Sequence, residues 1–341
     1  MKVTTNDIAR EAGVSQATVS IVLNNNTKVS IAPETRALVL KTAEKMGYQF
    51  KKRVKGRSQT SVIGLLVPTL SNLYYPFLVQ NVEIYAKSLG VTIVTQNTMR
   101  NEDEEIRAFD YLRSIGVMGI LSLYSPKTTV PEDMFMVIVG EKLQGQDVDT
   151  INLNSYAAGR MAVEHLLSLG HRNIAYISTP FTNITDARKK RLEGISSCME
   201  AAGLEKNLYT LVDDENENDL LDSTYEFDCG HRLTEQLMDK YPQCTAIIAV
   251  NDMVAIGCMS ALNQRRVRIP EDIAICGFDN LYIDRMMQPQ LTSVDQMAFH
   301  GCKVGLSVLL EKIKKISLRE NAVVLEYSPT LHARESTVKE I

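Results

Sequence analysis

The feature that most constrains the fold is the run TTNDIAREAGVSQATVSIVLNN at residues 4–25, which contains two short helical patterns. A threonine at position 4 or 5 can cap the first helix, whose apolar residues share one face. Gly13 and Val14 leave room only for a tight turn, and Ser15 is a suitable cap for the second helix. This arrangement is typical of the helix-turn-helix motif. A capped helical hairpin without a DNA-binding role is the alternative.

The second helix has an inward and an outward face. Val19, Val22 and Leu23 recur at helical spacing, so we expect them to be buried. The outward face then consists of Gln16, Ala17, Ser20 and Ile21. In a helix-turn-helix protein, side chains near the start of this helix contact base edges in the major groove.

A third helix is predicted within residues 28–47. Pro33 suits its first turn and Gly47 its C-terminal stop. Its apolar residues are expected to cover the first two helices: Val39, Leu40, Ala43 and Met46. Three helices in so short a segment predict a DNA-binding headpiece at residues 1–47.

Charge is distributed unevenly along the chain. Residues 1–61 carry eleven Lys or Arg against four Asp or Glu, whereas the remaining residues carry 26 against 37. A basic N-terminal segment on an acidic body suits the binding of phosphate by one end of the molecule. Within the linker at 48–61 we expect Lys51, Lys52 and Arg53 to follow the DNA backbone, although a solvated tether would have the same composition.

Residue patterns for other functions are missing from the sequence. The six cysteines form no CxxC pair, the five histidines are dispersed, and no phosphate-binding glycine loop or nucleophile elbow occurs. We therefore expect no enzyme activity, no cofactor and no metal. Without a signal peptide or an apolar run of membrane-spanning length, the protein is expected to be cytoplasmic and its thiols reduced.

From Val62 onward, short apolar runs alternate with helical segments, which predicts parallel sheets covered on both faces. There are too many strands for one sheet, so we predict an α/β body of two doubly wound subdomains. The predicted strands are residues 62–67, 91–96, 118–123, 134–139, 150–154, 173–178, 208–212, 245–250 and 273–278.

Polar and aromatic residues follow several of these strands, where ligands bind in doubly wound folds. They are Ser71, Asn72, Tyr74, Tyr75, Asn154, Arg191, Asn251, Asp252 and Asp279. Together they suit a small polar ligand such as a sugar or a nucleobase. Individually, each residue can instead be a helix cap or a turn residue, as Asp252 and Asp279 illustrate.

Long motifs resemble the LacI/GalR family of bacterial transcriptional regulators over nearly the whole chain. They include DIAREAGVSQATVSIVLN (7–24), IGLLVPTLSN (63–72), HLLSLGHRNIAYI (165–177), VNDMVAIG (250–257) and RIPEDIAICGFDN (268–280). The resemblance implies a homodimeric repressor with a periplasmic-binding-protein-like body at 62–341. It also implies an N-subdomain of about 62–154 plus 292–320 and a C-subdomain of about 155–291 plus 321–336.

The resemblance also assigns roles to particular positions. Base-reading positions fall on Gln16, Ala17 and Ile21, and phosphate contacts fall on Ser15, Thr18 and Ser20. Effector positions fall on Tyr74 or Tyr75, Asn154, Arg191, Tyr225, Asn251 and Asp279, of which Tyr225 comes from the resemblance alone.

The sequence departs from the family pattern in two positions and in one segment. Ile21 stands where the family usually has an arginine, and Asn154 stands where it commonly has an acid. The usual hinge helix is replaced by a shorter basic segment with Gly56, which suggests an extended linker. The alternative is that Val54 forms a shortened apolar wedge in the minor groove.

The sequence therefore predicts a DNA-binding transcriptional repressor controlled by a small polar effector in the cleft between the subdomains. A cytosolic solute-binding or sensor protein without operator recognition is the alternative from another class. The basic headpiece argues against that alternative.

Overall fold

The structure is a computed structural model that describes residues 3–23, 31–46, 61–142, 147–181, 186–213, 222–314 and 321–338. The chain divides into two compact units, Met1–Gln59 and Thr60–Ile341. The predictions made for Gly47 and for the linker residues Lys51, Lys52, Arg53 and Val54 lie outside the described residues.

The N-terminal unit contains the three predicted helices, α1 (Thr5–Ala12), α2 (Gln16–Leu23) and α3 (Pro33–Lys45). Thr4 caps α1 in a capping box: the Asp7 backbone N–H donates to Thr4 Oγ1 at 3.4 Å, and the Thr4 N–H donates to Asp7 Oδ2 at 3.0 Å. The α1–α2 turn begins at Gly13, whose φ of 64° favours glycine. Ser15 Oγ caps α2 by accepting from the Thr18 N–H at 3.1 Å.

The core of this unit joins all three helices, with one correction to the prediction. Val19 and Val22 of α2 are buried as expected, and Val39 and Ala43 of α3 are fully buried beside Ile8. Leu40, in contrast, is 39% exposed. The buried stripe of α3 runs through positions 39, 42 and 43, with the partly buried Met46 packed against it, and this spacing turns position 40 toward solvent.

The body begins with a six-stranded parallel sheet in the order β11-β5-β4-β3-β1-β2. Its strands are β1 (Val62–Val67), β2 (Thr92–Asn97), β3 (Gly119–Ser122), β4 (Phe135–Val139), β5 (Asp149–Asn152) and β11 (Val324–Glu326). The helices α4 (Tyr74–Ser88) and α10 (Ala298–Ile313) share one core with the sheet, and α5 (Glu102–Ser114) contributes to another. This unit is the N-subdomain.

A second six-stranded sheet, in the order β12-β10-β9-β8-β6-β7, forms the C-subdomain. Its strands are β6 (Ile174–Ser178), β7 (Leu208–Val212), β8 (Ala246–Ala249), β9 (Ala274–Phe278), β10 (Thr292–Asp295) and the antiparallel β12 (Thr330–His332). Its helices are α6 (Ser155–Ser168), α7 (Asp186–Ala201), α8 (Tyr225–Lys240) and α9 (Asp252–Gln264). All six cysteines are buried free thiols, and none of the helices described is long and apolar enough to cross a membrane.

The positions where the chain crosses between subdomains differ from those expected near residues 292 and 321. Strand β10 pairs with β9 in the C-subdomain, with Thr292 opposite Cys276, so the N-subdomain is regained only after Asp295. Strand β11 pairs with β5, with Val324 opposite Thr150, and therefore still belongs to the N-subdomain. These strands have only three or four residues, too few for their sheet to be assigned from apolar pattern.

Candidate functional site

The outward face of α2 is the first candidate site. Ser15, Gln16 and Ala17 are exposed, whereas Thr18, Ser20 and Ile21 are half-buried. Gln16 Nε2 lies 3.4 Å from Thr5 Oγ1, so its amide group is held near the start of α1. The expected base-reading and phosphate-binding positions are thus accessible to differing degrees, and their DNA contacts remain predictions.

The second candidate site is a cavity of about 170 Å³ between the two subdomains of the body. Residues at the carboxyl ends of strands in both sheets line it, as expected for doubly wound folds. Six predicted effector residues are among them: Asn72, Tyr74, Tyr75, Arg191, Asn251 and Asp279.

Arg191 lies in the C-subdomain wall, on α7, and is 8% exposed. Its guanidinium donates hydrogen bonds to the Val250 carbonyl and to Gln296 Oε1, and its Cζ lies 4.4 Å from the centre of the Phe278 ring. Its Nε is buried without an acceptor among the described residues. Because a buried donor without a partner costs about 1–3 kcal/mol, an oxygen of a bound ligand would be favoured here.

Asp279 faces this arginine, with Oδ1 3.8 Å from Arg191 Nη2. Burial raises the pKa of Asp279 to about 8, and the negative charge of Glu226 adds to the rise, while Arg191 opposes it. The carboxyl group therefore carries a proton in much of the population at neutral pH. It can then donate a hydrogen bond as well as accept one, which suits a hydroxyl group of a ligand.

This pKa predicts how stability depends on pH. Because the pKa of Asp279 is higher in the folded protein than its ordinary value of 3.8, its contribution to the free energy of unfolding falls as pH rises from about 4 to about 8. We expect the melting temperature of the wild type to fall more between pH 5.5 and 8 than that of Asp279→Asn. Calorimetric scans at matched ionic strength measure the difference, and parallel curves for the two proteins would contradict the assigned pKa.

The N-subdomain wall is built around the start of α4. Asn72 Oδ1 accepts from the backbone N–H groups of Tyr74 at 3.1 Å and Tyr75 at 3.4 Å, which fixes the two tyrosines side by side. Their ring centres are 5.1 Å apart in an edge-to-face arrangement. Asn72 Nδ2 also reaches Glu226 Oε2 at 3.4 Å, and Asn251 Nδ2 donates to Glu226 Oε1 at 2.8 Å. A polar chain therefore joins the two walls.

Four predicted effector residues are not among those that line the cavity, and their contact with an effector stays a prediction. Asn154 Oδ1 caps α6 by accepting from the Ala157 N–H at 2.9 Å, and its Nδ2 donates to Glu326. Asp252 is fully buried and accepts from Ser293 Oγ at 2.8 Å and the Leu281 N–H at 3.1 Å. The other two contact neighbours of their own subdomain: Ser71 bonds Thr69 Oγ1, and Tyr225 donates to Asp213 Oδ2 at 2.7 Å.

Other residues of the cavity wall were not predicted, among them Arg100, Arg188, Glu226 and Gln296. Arg100 follows β2, and ligands of doubly wound folds bind beyond the carboxyl ends of strands, so its position could have identified it. Glu226 is the neighbour of the predicted Tyr225, and one residue along a helix turns a side chain by about 100°. Gln296 follows the short strand β10, which the apolar pattern does not reveal.

Residues 4–50 match the profile of the lacI family of bacterial regulatory proteins, and residues 163–337 match the profile of the periplasmic binding protein-like domain. Catabolite control protein A of Priestia megaterium is 28% identical, with 99% of this chain and 100% of that protein covered. The HTH-type transcriptional repressor PurR of Vibrio vulnificus (strain CMCP6) is 31% identical, with 99% of each covered. The solved complex of the transcriptional regulator CelR with cellobiose is 26% identical, with a TM-score of 0.67, 98% of this chain and all of that chain covered.

Proposed function

The chain belongs to the LacI family of bacterial DNA-binding transcriptional regulators, and on that basis we propose how its two candidate sites work together. The exposed face of α2 reads an operator sequence, and a small polar effector in the cavity of the body changes operator affinity. The HTH-type transcriptional repressor PurR matches the chain over 99% of each protein, which supports repression as the function. The sensor without operator recognition is not favoured, since the helix-turn-helix profile is matched.

Operator recognition is assigned to α2 together with the basic linker. Gln16 and Ala17 are exposed at the start of the helix, where side chains reach base edges. Ile21 replaces an arginine that could bond guanine, and its side chain can contact only a thymine methyl group or the backbone. The positive charge of residues 1–61 supports binding to phosphate on any DNA sequence.

The buried, unpartnered Nε of Arg191 is the observation that carries the effector assignment. Together with the protonated carboxyl group of Asp279 and the amides of Asn72 and Asn251, it supports a ligand rich in hydroxyl groups. The cavity is smaller than the roughly 300–1,000 Å³ typical of drug-sized ligands. We therefore propose a molecule the size of a single sugar ring.

The contacts of Gln296 support a route from the effector to the subdomain arrangement. Gln296 accepts from Arg191, and its Nε2 donates to the Leu153 carbonyl at 2.8 Å and to Ser155 Oγ at 3.1 Å. Leu153 and Ser155 lie where the chain crosses from β5 to α6, and Gln296 lies where it crosses from β10 to α10. An effector that binds Arg191 more tightly in one arrangement than in the other would shift the equilibrium between them.

We further propose a cytoplasmic homodimer. Exposed apolar side chains on the C-subdomain support a subunit interface: Met286 is 73% exposed and Tyr282 is 46% exposed, and a nearby groove is lined by Phe227, Met259 and Met287. A two-fold dimer would present two recognition helices to a palindromic operator. Sedimentation of the full-length protein distinguishes a dimer from a monomer.

The proposed function is tested in two steps. Genomic fragments selected by the purified protein identify an operator, and a panel of monosaccharides, their acidic derivatives and purine bases is then screened for thermal stabilisation and for changes in operator affinity. The proposal predicts a recurring palindromic sequence and at least one compound that alters its binding. Retention of fragments without any shared sequence would refute operator recognition.

The basic linker is expected to raise the affinity for DNA of any sequence equally. Lys51→Ala and Lys52→Ala each remove a cation expected to neutralise a phosphate, so each should lower the slope of log K against log salt by about 0.9. Selected and scrambled duplexes should lose affinity by the same factor. Fluorescence anisotropy at several salt concentrations measures both, with Lys87→Ala on the body as the control. Unchanged slopes in both linker variants would show that the linker does not contact the DNA phosphates.

A further inference from the structure

The cavity wall carries more positive than negative charge. Three arginines line it, namely Arg100, Arg188 and Arg191, together with the carboxyl groups of Glu141, Glu226 and Asp279. Glu141 is paired with Lys190, which adds a fourth cation beside the wall. With Lys190 included, four cations stand against three carboxyl groups among the described residues at this wall. Burial also raises the pKa of Asp279, which favours its neutral form. Net charge in a partly closed site favours a ligand of opposite charge.

Arg100 is held in place by a buried support. Its Cζ lies 5.6 Å from the centre of the Tyr124 ring, and its Nη2 lies 3.4 Å from Tyr75 Oη. Tyr124 is itself fixed, because its hydroxyl donates to Glu105 Oε1 at 2.9 Å. Glu105 is fully buried and also accepts from the Thr128 N–H at 2.9 Å and Oγ1 at 2.7 Å. This support orients the cation before any ligand binds.

Arg188 stands in the opposite wall, on α7, and is 9% exposed. Its Nη1 donates to the Pro180 carbonyl at 3.0 Å, which fixes the direction of the guanidinium. Burial raises the pKa of Tyr75, while the charges of Arg100 and Arg188 both act to lower it. The Tyr75 hydroxyl therefore lies within the field of one arginine from each subdomain, and the carboxyl groups of Asp279 and Glu226 act on it in the opposite sense.

We propose that the effector carries an anionic group, a carboxylate or a phosphate, which binds between Arg100 and Arg188 beside Tyr75. Arg191 and Asp279 then hold its hydroxyl groups, so the effector is an acidic sugar: a uronic or aldonic acid, or a sugar phosphate. The guanidinium group presents paired N–H donors that match the oxygens of both anions. An anion held by both subdomains would also favour their closure. This inference rests on the proposed role of the cavity as the effector site.

The test uses the full-length protein and matched pairs of neutral and acidic sugars, by calorimetric titration: glucose with glucuronate, gluconate and glucose 6-phosphate, galactose with galacturonate, and ribose with ribose 5-phosphate. Inorganic phosphate against chloride, at equal ionic strength, probes the anion site alone. We expect at least one acidic compound to bind tenfold or more tightly than its neutral partner, and phosphate to raise the melting temperature. Preference for phosphate esters or for carboxylates tells the two anions apart.

Arg100→Met and Arg188→Met should each reduce that preference at least tenfold, because the acidic sugar loses more affinity than its neutral partner. Arg100→Lys, which keeps the charge but not the paired donors, should retain part of it. Arg268→Met, at an exposed position outside the cavity, is the control. If neutral sugars bound as tightly as their acidic partners, the proposal of an anionic effector would be refuted. The proposal that the cavity is the effector site would still hold. If neither sugars nor phosphate affected the protein, the effector site itself would be refuted.

Discussion

Gly257→Ala should strongly destabilise the body, although it adds only one methyl group. Gly257 lies in α9 where this helix crosses α8, and a Cβ atom there would be 2.0 Å from the Phe227 carbonyl oxygen and 2.9 Å from the His231 nitrogen. Gly230 of α8 makes the reciprocal approach, because a Cβ atom added there would be 2.1 Å from the Val254 carbonyl oxygen. Because backbone stands on both sides, relief requires the two helices to separate. We expect a loss of about 3 kcal/mol or more in the free energy of unfolding.

A loss of stability would itself indicate the close crossing of α8 and α9. In an unobstructed helix, replacing glycine with alanine raises the free energy of unfolding by about 1 kcal/mol. Urea denaturation of the full-length protein measures the change, with Gly301→Ala on α10 as the matched control. There the new Cβ would meet only side-chain ends, with Ile151 Cγ2 at 3.0 Å and Val139 Cγ1 at 3.3 Å, and the loss should be smaller. Wild-type stability of Gly257→Ala would contradict the close helix crossing.

Arg191→Met should reduce effector affinity at least a hundredfold. The substitution removes the donor that has no protein acceptor among the described residues, and it also releases the Val250 carbonyl and Gln296 from the arrangement that shapes the cavity wall. Sites built around buried polar groups lose most of their affinity when one member is missing. Calorimetric titration with the strongest ligand of the panel measures the loss.

Two controls separate the loss of a ligand contact from a loss of folding. Arg160→Met removes a surface arginine paired with Glu164 and should leave effector affinity unchanged. Arg191→Met should itself keep wild-type operator affinity while its operator binding no longer responds to the ligand. A variant that stays folded and still binds the effector with wild-type affinity would show that Arg191 is not its anchor.

The headpiece and the sheets could be predicted from the sequence because their signals are local. Thr4, Gly13 and Ser15 mark helix ends by their own backbone preferences, and apolar runs such as residues 62–67 are buried wherever a parallel sheet forms. The prediction that Leu40 is buried was wrong, because its exposure depends on how α3 is rotated about its axis where it packs on α1 and α2. The chain crosses between the subdomains a few residues beyond the approximate boundaries that the resemblance implied, because β10 and β11 pair with β9 and β5.

The cavity could be predicted only in part, because one residue type can serve several purposes. Asn72 accepts from the first backbone N–H groups of α4, Asn251 caps α9, and both line the cavity, whereas Asn154 caps a helix outside it. Nothing in their local sequence distinguishes these cases. Arg100 and Glu226 become site residues only because the two subdomains face each other, which is a property of the tertiary structure.

The central claim is that α2 reads an operator sequence, and binding of Gln16→Ala to two duplexes tests it most directly. Anisotropy titrations compare wild type and variant on the selected operator and on a scrambled duplex of the same composition, at one salt concentration. We predict that Gln16→Ala loses about 1–3 kcal/mol of binding free energy on the operator and relaxes one base position, with scrambled DNA bound as before. An equal loss on both duplexes, or no loss on either, would contradict the account.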